Sequence, residues 1–144
     1  KWTTFANDDK LAFEFTSNFN NSDDGFLVNP NSSTSSGRFE VAMGRNSNRN
    51  SIYFTRPSAG AWHHYALVFS ASTLSPSITP YVDGKAVSFT KGTSGLGGGN
   101  FANSTLNFMS RNASSLFGNG SLDEVALYDQ ALTATQISQH FAAR

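Results

Sequence analysis

Side-chain polarity in this sequence repeats every two residues, in one short segment after another. "KLAFEFTSNF" sets Leu11, Phe13 and Phe15 against Ala12, Glu14 and Thr16, and "GRFEVAMG" sets Phe39, Val41 and Met43 against Arg38, Glu40 and Ala42. "SIYFT", "WHHYALVFS", "SITPYVDGKAVSF", "STLNFMS" and "SLDEVALYD" follow, each bounded by Gly, Asn, Ser or Pro. Successive side chains of a strand point to opposite faces, so a period of two means strands. Short strands with turn chemistry between them predict an antiparallel sandwich or barrel. Thirteen Phe are enough to fill the space between two sheets.

The turns carry their own signals. Asp83-Gly84 in "YVDGKAV" predicts a two-residue hairpin turn, because a type I′ turn needs positive φ at both central positions. "NSSTSSG" (31–37) and "KGTSGLGGGN" (91–100) read as loops by composition. One helix is expected, at the end, in "LTATQISQHFAAR". Thr133 and Gln136 have the spacing of a capping box, and Leu132 and Ile137 that of a hydrophobic staple. Ile137 and Phe141, four apart, give that helix one apolar stripe.

Composition narrows the partners. The 144 residues fit one domain, 1–144, with no visible repeat or boundary. Ten acids balance ten Lys and Arg, and no basic tract occurs, so neither nucleic acid nor an anionic membrane is expected as the partner. No apolar run approaches the length of a membrane span. Cysteine is absent, so disulfides and thiolate metal sites are excluded. Abundant Ser, Asn and Thr point to a secreted or cell-surface protein, expected to be bacterial.

"GSLDEVALYD" (120–129) raises a specific question. If Val125 and Leu127 face a core, strict alternation turns Asp123 inward with them. A bare buried carboxylate costs several kcal/mol, so Asp123 must be hydrogen-bonded, ion-paired, metal-bound or protonated. One reading makes it a hydrogen-bonded tie for the last strand, another a ligand of a structural calcium. "NNSDDG" (20–25) is a second calcium candidate, with Asp23 and Asp24 beside Asn21 and before Gly25, although it lacks the spacing of an EF-hand loop.

Taken in order, "GAWHHYALVF", "ITPYVDGKAVSF" and "LFGNGSLDEVALYDQALTATQISQHF" resemble the laminin-G-like, concanavalin A-like lectin/glucanase superfamily. The motifs are Trp62 to His64, Tyr81 to Gly84, Gly120 to Val125, and Ala131 to Thr133. The resemblance is good over 60–144 and looser before. It implies an all-β, antiparallel jelly-roll β-sandwich with a short C-terminal helix, and a calcium beside the C-terminal strand. It also implies one or two strands ahead of "KWTTF", hence a front trimmed at its N-terminus and an incomplete neighbour for the last strand. Fold of this kind hosts lectins, hydrolases and adhesion modules alike.

Catalysis is not expected. Glycoside hydrolases need two carboxylates across one bond, and the superfamily's usual Glu-x-Asp-x-x-Glu strand is missing. Asp123 and Glu124 are adjacent and point apart, and Glu14 and Glu40 sit singly in separate strands. The expected role is a non-catalytic module of a larger multidomain protein that recognises carbohydrate, with protein adhesion or a structural spacer as the alternative. A glycan needs aromatic platforms beside amide and charged hydrogen-bonders. "GRNSNRNSIYF" (44–54) offers Arg45, Asn46, Asn48, Arg49 and Tyr53, with Arg111 from elsewhere, and Trp2, Tyr128 and Phe101 as further aromatics. Trp62 is read as core, with His64 and Val68 on its face.

Overall fold

A computed structural model describes residues 1–5, 9–16, 25–35, 37–44, 48–72, 74–95, 101 and 104–144. Its elements are β1 (Phe13–Phe15), β2 (Phe26–Asn29), β3 (Arg38–Met43), β4 (Asn50–Thr55), β5 (Tyr65–Ser70), β6 (Ser77–Val82), β7 (Lys85–Ala86), β8 (Phe89–Ser94), β9 (Leu106–Phe108) and α1 (Ala134–Ala142). One sheet has six strands in the order β8-β4-β3-β2-β1-β9, the other three in the order β5-β6-β7. Every pairing is antiparallel. This is the expected jelly-roll sandwich with its short C-terminal helix.

Register explains which face is which. Phe13, Val28, Val41 and Ile52 lie side by side across β1–β4, and Phe39 pairs with Phe54. This face meets the small sheet: Phe26 packs tilted against Phe69 at 4.9 Å between ring centroids, and Phe39 stacks on Tyr65 at 4.9 Å. Tyr65, Leu67 and Phe69 pack against the buried core from β5. The expectation for that strand had the opposite parity. Trp62 is 49% exposed. The expectation failed because alternation fixes two sets but not which one faces inward.

Two strands were not foreseen. β2 follows an acidic segment without a full alternating pattern, and β8 occupies "FTKGTS", read above as the start of a glycine-rich loop. Tertiary pairing with β4 overrides weak strand composition there. Conversely, "SLDEVALYD" forms no strand. Its first residues pair with the N-terminus, through Trp2 opposite Gly120, and the segment beyond is exposed. Asp123 is exposed too, its Oδ1 accepting the N–H of Glu124 at 3.0 Å. Val125 and Leu127 are exposed as well, and Glu124 has φ 50°, so the segment is not extended and none of its faces turns Asp123 inward.

The hairpin and helix match the local chemistry. Asp83 (φ 49°) and Gly84 (φ 75°) both take the left-handed backbone of the turn. Thr133 caps α1 reciprocally: Gln136 N–H donates to its Oγ1 at 3.3 Å, and Gln136 Oε1 accepts the Thr133 N–H at 2.8 Å. Ile137 is buried, and Phe141 lies over Gly84.

Candidate functional site

The other face of the six-stranded sheet is polar, and it is the candidate site. Asn107, Glu14, Leu27, Ala42 and Ser51 form one transverse row, and Asn29, Glu40, Tyr53 and Thr90 form the next. Both glutamates are therefore on one face of one sheet. Glu14 is 1% exposed and Glu40 3% exposed, so each needs compensation.

Each has an arginine. Arg111 Nε donates to Glu14 Oε1 at 2.7 Å. Arg49 Nη1 stands 3.5 Å from Glu40 Oε1, while Ser32 Oγ donates to Glu40 Oε2 at 2.8 Å and the Tyr53 hydroxyl to Oε1 at 3.3 Å. Burial, foremost, and the neighbouring Glu40 raise the Tyr53 phenol above its ordinary value. Arg111 arrives from a tight loop in which its N–H bonds Ser115 O and its own carbonyl accepts from Ser114 N–H. Asn112 and Ala113 there have φ of 51° and 52°. Left-handed backbone at a residue with a Cβ is unfavourable, and such strain often accompanies a positioned side chain. Leu116 seats the loop by packing on buried Leu11, Leu27 and Ala42.

The rim continues the pattern. Arg38 donates through Nη2 to Tyr53 O and to Thr90 Oγ1, both at 3.0 Å. Asp9 accepts from Asn29 Nδ2 at 2.7 Å, from Ser33 N–H at 3.0 Å and from the Ser33 hydroxyl. Burial pulls the Asp9 carboxyl upward, but the Ser33 and Asn29 donors and the charge of Arg111 outweigh it and hold it below the usual value. Arg49 Nε and Asn107 Nδ2 find no acceptor among the described residues.

Of the expected binding residues, Tyr53, Arg49 and Arg111 are thus brought to one face. Tyr53 is no exposed platform: it is 6% exposed beneath Gly92, whose added Cβ would stand 2.3 Å from the ring. Asn48 is half-buried two residues before β4, while Arg45 and Asn46 lie outside the described residues. Trp2 is a core residue stacked on Phe5, and Phe101 packs against the same core. Tyr128 is exposed, beside His140. Glu14, Glu40, Asn29, Ser32 and Arg38 were not singled out. Their signal was present for the two glutamates, which alternate with Phe in their strands, but the shared sheet was not readable.

A family model described as the concanavalin A-like lectin/glucanases superfamily, of laminin G type, matches residues 1–138. The chain belongs to the concanavalin A-like lectin/glucanase superfamily. No curated protein and no solved structure gives a significant match. Membership supports a carbohydrate- or protein-binding module at the level of the superfamily. For calcium, the described residues contain no group of three His, Asp or Glu side chains able to hold an ion. Among the described residues Asp123 belongs to no such group, and Asp23 and Asp24 lie outside the described residues. No helix among the described residues is long and apolar enough to cross a membrane.

Proposed function

We propose that this laminin-G-like domain is a non-catalytic carbohydrate-binding module of a secreted or cell-surface protein, and that its glycan lies on the polar face of the six-stranded sheet. The observation that carries this reading is the pair of fixed ion pairs, Glu14–Arg111 and Glu40–Arg49, side by side on that face. Sugar hydroxyls accept as well as donate, and the partly exposed guanidinium groups of Arg49 and Arg111, held in place by buried carboxylates, are oriented donors for them. Arg38, Thr90 and Asn48 extend it toward solvent.

The glutamates favour binding over hydrolysis. Paired hydrolase carboxyls stand roughly 5 to 10 Å apart with the scissile bond between them. Glu14 and Glu40 are two strands and two residues apart in register, and both are buried, so neither carboxyl is open to a scissile bond. Each is engaged by its own arginine.

A panel of immobilised glycans tests the proposal. Wild-type protein is expected to retain a subset, and Arg49→Ala, assayed well below the lowered Tm that stranding Glu40 brings, to lose it. Retention unchanged in Arg49→Ala, or no glycan retained at all, would sink it. A structural calcium held by the oxygen-rich "NNSDDG" segment belongs to the same proposal. Melting in chelator against millimolar calcium, repeated with Asp23→Asn/Asp24→Asn, tests that part, since a ligand of the native state alone raises Tm.

A further inference from the structure

The two ion pairs of the polar face are unequal in depth. Glu14 and Glu40 are 1% and 3% exposed, while the side chains of their partners Arg111 and Arg49 keep 29% and 16% in water. Each carboxylate lies inside and each guanidinium outside, so a molecule resting on this face meets the positive end of both pairs. Glu40 is further occupied from within by Ser32 Oγ and the Tyr53 hydroxyl.

A third guanidinium joins them. Arg38 shares the parity of Glu40 in β3, and its Nη2 donates to neutral acceptors only, Tyr53 O and Thr90 Oγ1. Arg38 is half-buried and Thr90 is exposed, so the group stands at the surface. Among the described residues no carboxylate pairs with Arg38. Its cation therefore lacks the buried counter-charge that Arg49 and Arg111 have. The rim acid Asp9 is held on the other flank, by Asn29 of β2 and by Ser33, whereas Arg38 reaches across β4 to β8.

An oxyanion suits this arrangement better than a hydroxyl does. A guanidinium presents its donors in a planar fork that matches two oxygens of a carboxylate or sulfate, and such charged hydrogen bonds are roughly twice as strong as neutral ones. A neutral sugar would leave Arg38 to water, while an acidic sugar would supply the absent counter-charge. On the footing of the carbohydrate-binding reading above, we propose that the saccharide taken by this face is acidic. Its carboxylate or sulfate sits against Arg38 beside Thr90, and Arg49 and Arg111 donate to hydroxyls of the same sugar chain.

The test is titration calorimetry of the full chain with two matched pairs: an oligogalacturonate against its methyl ester, and a sulfated galactan oligosaccharide against its desulfated form. One acidic member is expected to bind at least tenfold more tightly than its neutral counterpart, and which one it is separates carboxylate from sulfate. Raising the salt from about 50 to about 500 mM should weaken that binding severalfold, because exposed charges are screened. Arg38→Gln should abolish the preference and change Tm little, since no buried carboxylate is stranded and the amide keeps a donor for Tyr53 O. Equal binding within each pair, a preference that survives Arg38→Gln, or retention of neutral glycans alone on the immobilised panel would overturn the proposal and leave carbohydrate binding standing. Retention of no glycan at all would overturn both.

Discussion

Arg111 Nε meets Glu14 Oε1 at 2.7 Å across 97 residues of chain, and this contact ties the loop after β9 to the polar face of the six-stranded sheet. Removing one partner of a buried pair strands the other, at about 3–5 kcal/mol. Arg111 keeps 29% of its side chain in water, so the lower end applies. Arg111→Ala is therefore expected to cost about 3 kcal/mol in urea unfolding and to lower Tm by about 10 °C. Glu14→Gln/Arg111→Ala should recover part of that loss, since no buried charge remains. A double variant no better than Arg111→Ala would show that loop packing through Leu116, not charge, sets the cost.

Tyr53 makes a different contribution. Its hydroxyl supports Glu40 at 3.3 Å, within a set that includes Arg49 and Ser32. Tyr53→Phe keeps the ring beneath Gly92 and removes one donor to a buried carboxylate, a loss of about 1–2 kcal/mol. Because the ring is covered, glycan retention should change little. A complete loss of retention with unaltered stability would mean that Tyr53 touches the ligand directly.

What the sequence disclosed and what it hid divide along physical lines. Local rules succeeded: the capping box at Thr133 and Gln136 and the Asp83-Gly84 turn depend on neighbours within four residues. Parity succeeded for β1 and β3, where Glu14 and Glu40 oppose Phe. It failed at Trp62, because alternation in β5 is symmetric until a second sheet chooses a side. It failed again at Asp123, where the segment is not a strand and Val125 and Leu127 are exposed with it. β8 was hidden because its strand character comes from β4, through Ser51 Oγ, which accepts the Thr93 N–H at 3.0 Å. Tyr53 and Arg49 were found from composition. Their carboxylate partner Glu40 was not, since pairing β3 with β4 is a tertiary event.

Stability should fall in two stages on acidification. Burial first, then the charge of Arg144, holds His64 below its ordinary value, with Asp83 opposing and His140 adding to it. The native state thus prefers neutral His64, and an unfolded histidine protonates near pH 6.5. That contribution is complete above about pH 6.5 and is lost as pH drops through the lower native value. Asp83 is raised by burial but lowered more by His63 Nδ1 at 2.8 Å and the His64 N–H at 3.0 Å, so its net shift is downward. Asp9 shifts the same way. Their contribution is present above about pH 4 and fades below it. Melting across pH 3–8 should show both stages, with His64→Phe flattening the first alone. One stage, untouched by His64→Phe, would contradict the assignment.

Two glycines separate backbone strain from helix docking. Gly37 has φ 76° and nothing within 4 Å of an added Cβ, while Gly84 has φ 75° and its added Cβ would stand 2.9 Å from Phe141 Cβ. The backbone term is thus the same at both, about 1 kcal/mol for placing Ala in the left-handed region. Phe141 Cβ is fixed to the backbone of α1, so it cannot swing aside as the end of a long side chain would. Gly37→Ala should therefore cost about 1 kcal/mol in urea unfolding, and Gly84→Ala about 2–3 kcal/mol, the excess being overpacking against α1. Hydrogen exchange gives the sharper reading. Amides of 137–143 should exchange faster in Gly84→Ala and unchanged in Gly37→Ala, because only the first lifts the helix from the hairpin. Equal costs with equal exchange would mean that α1 yields freely and that the turn, not Phe141, sets the requirement for glycine.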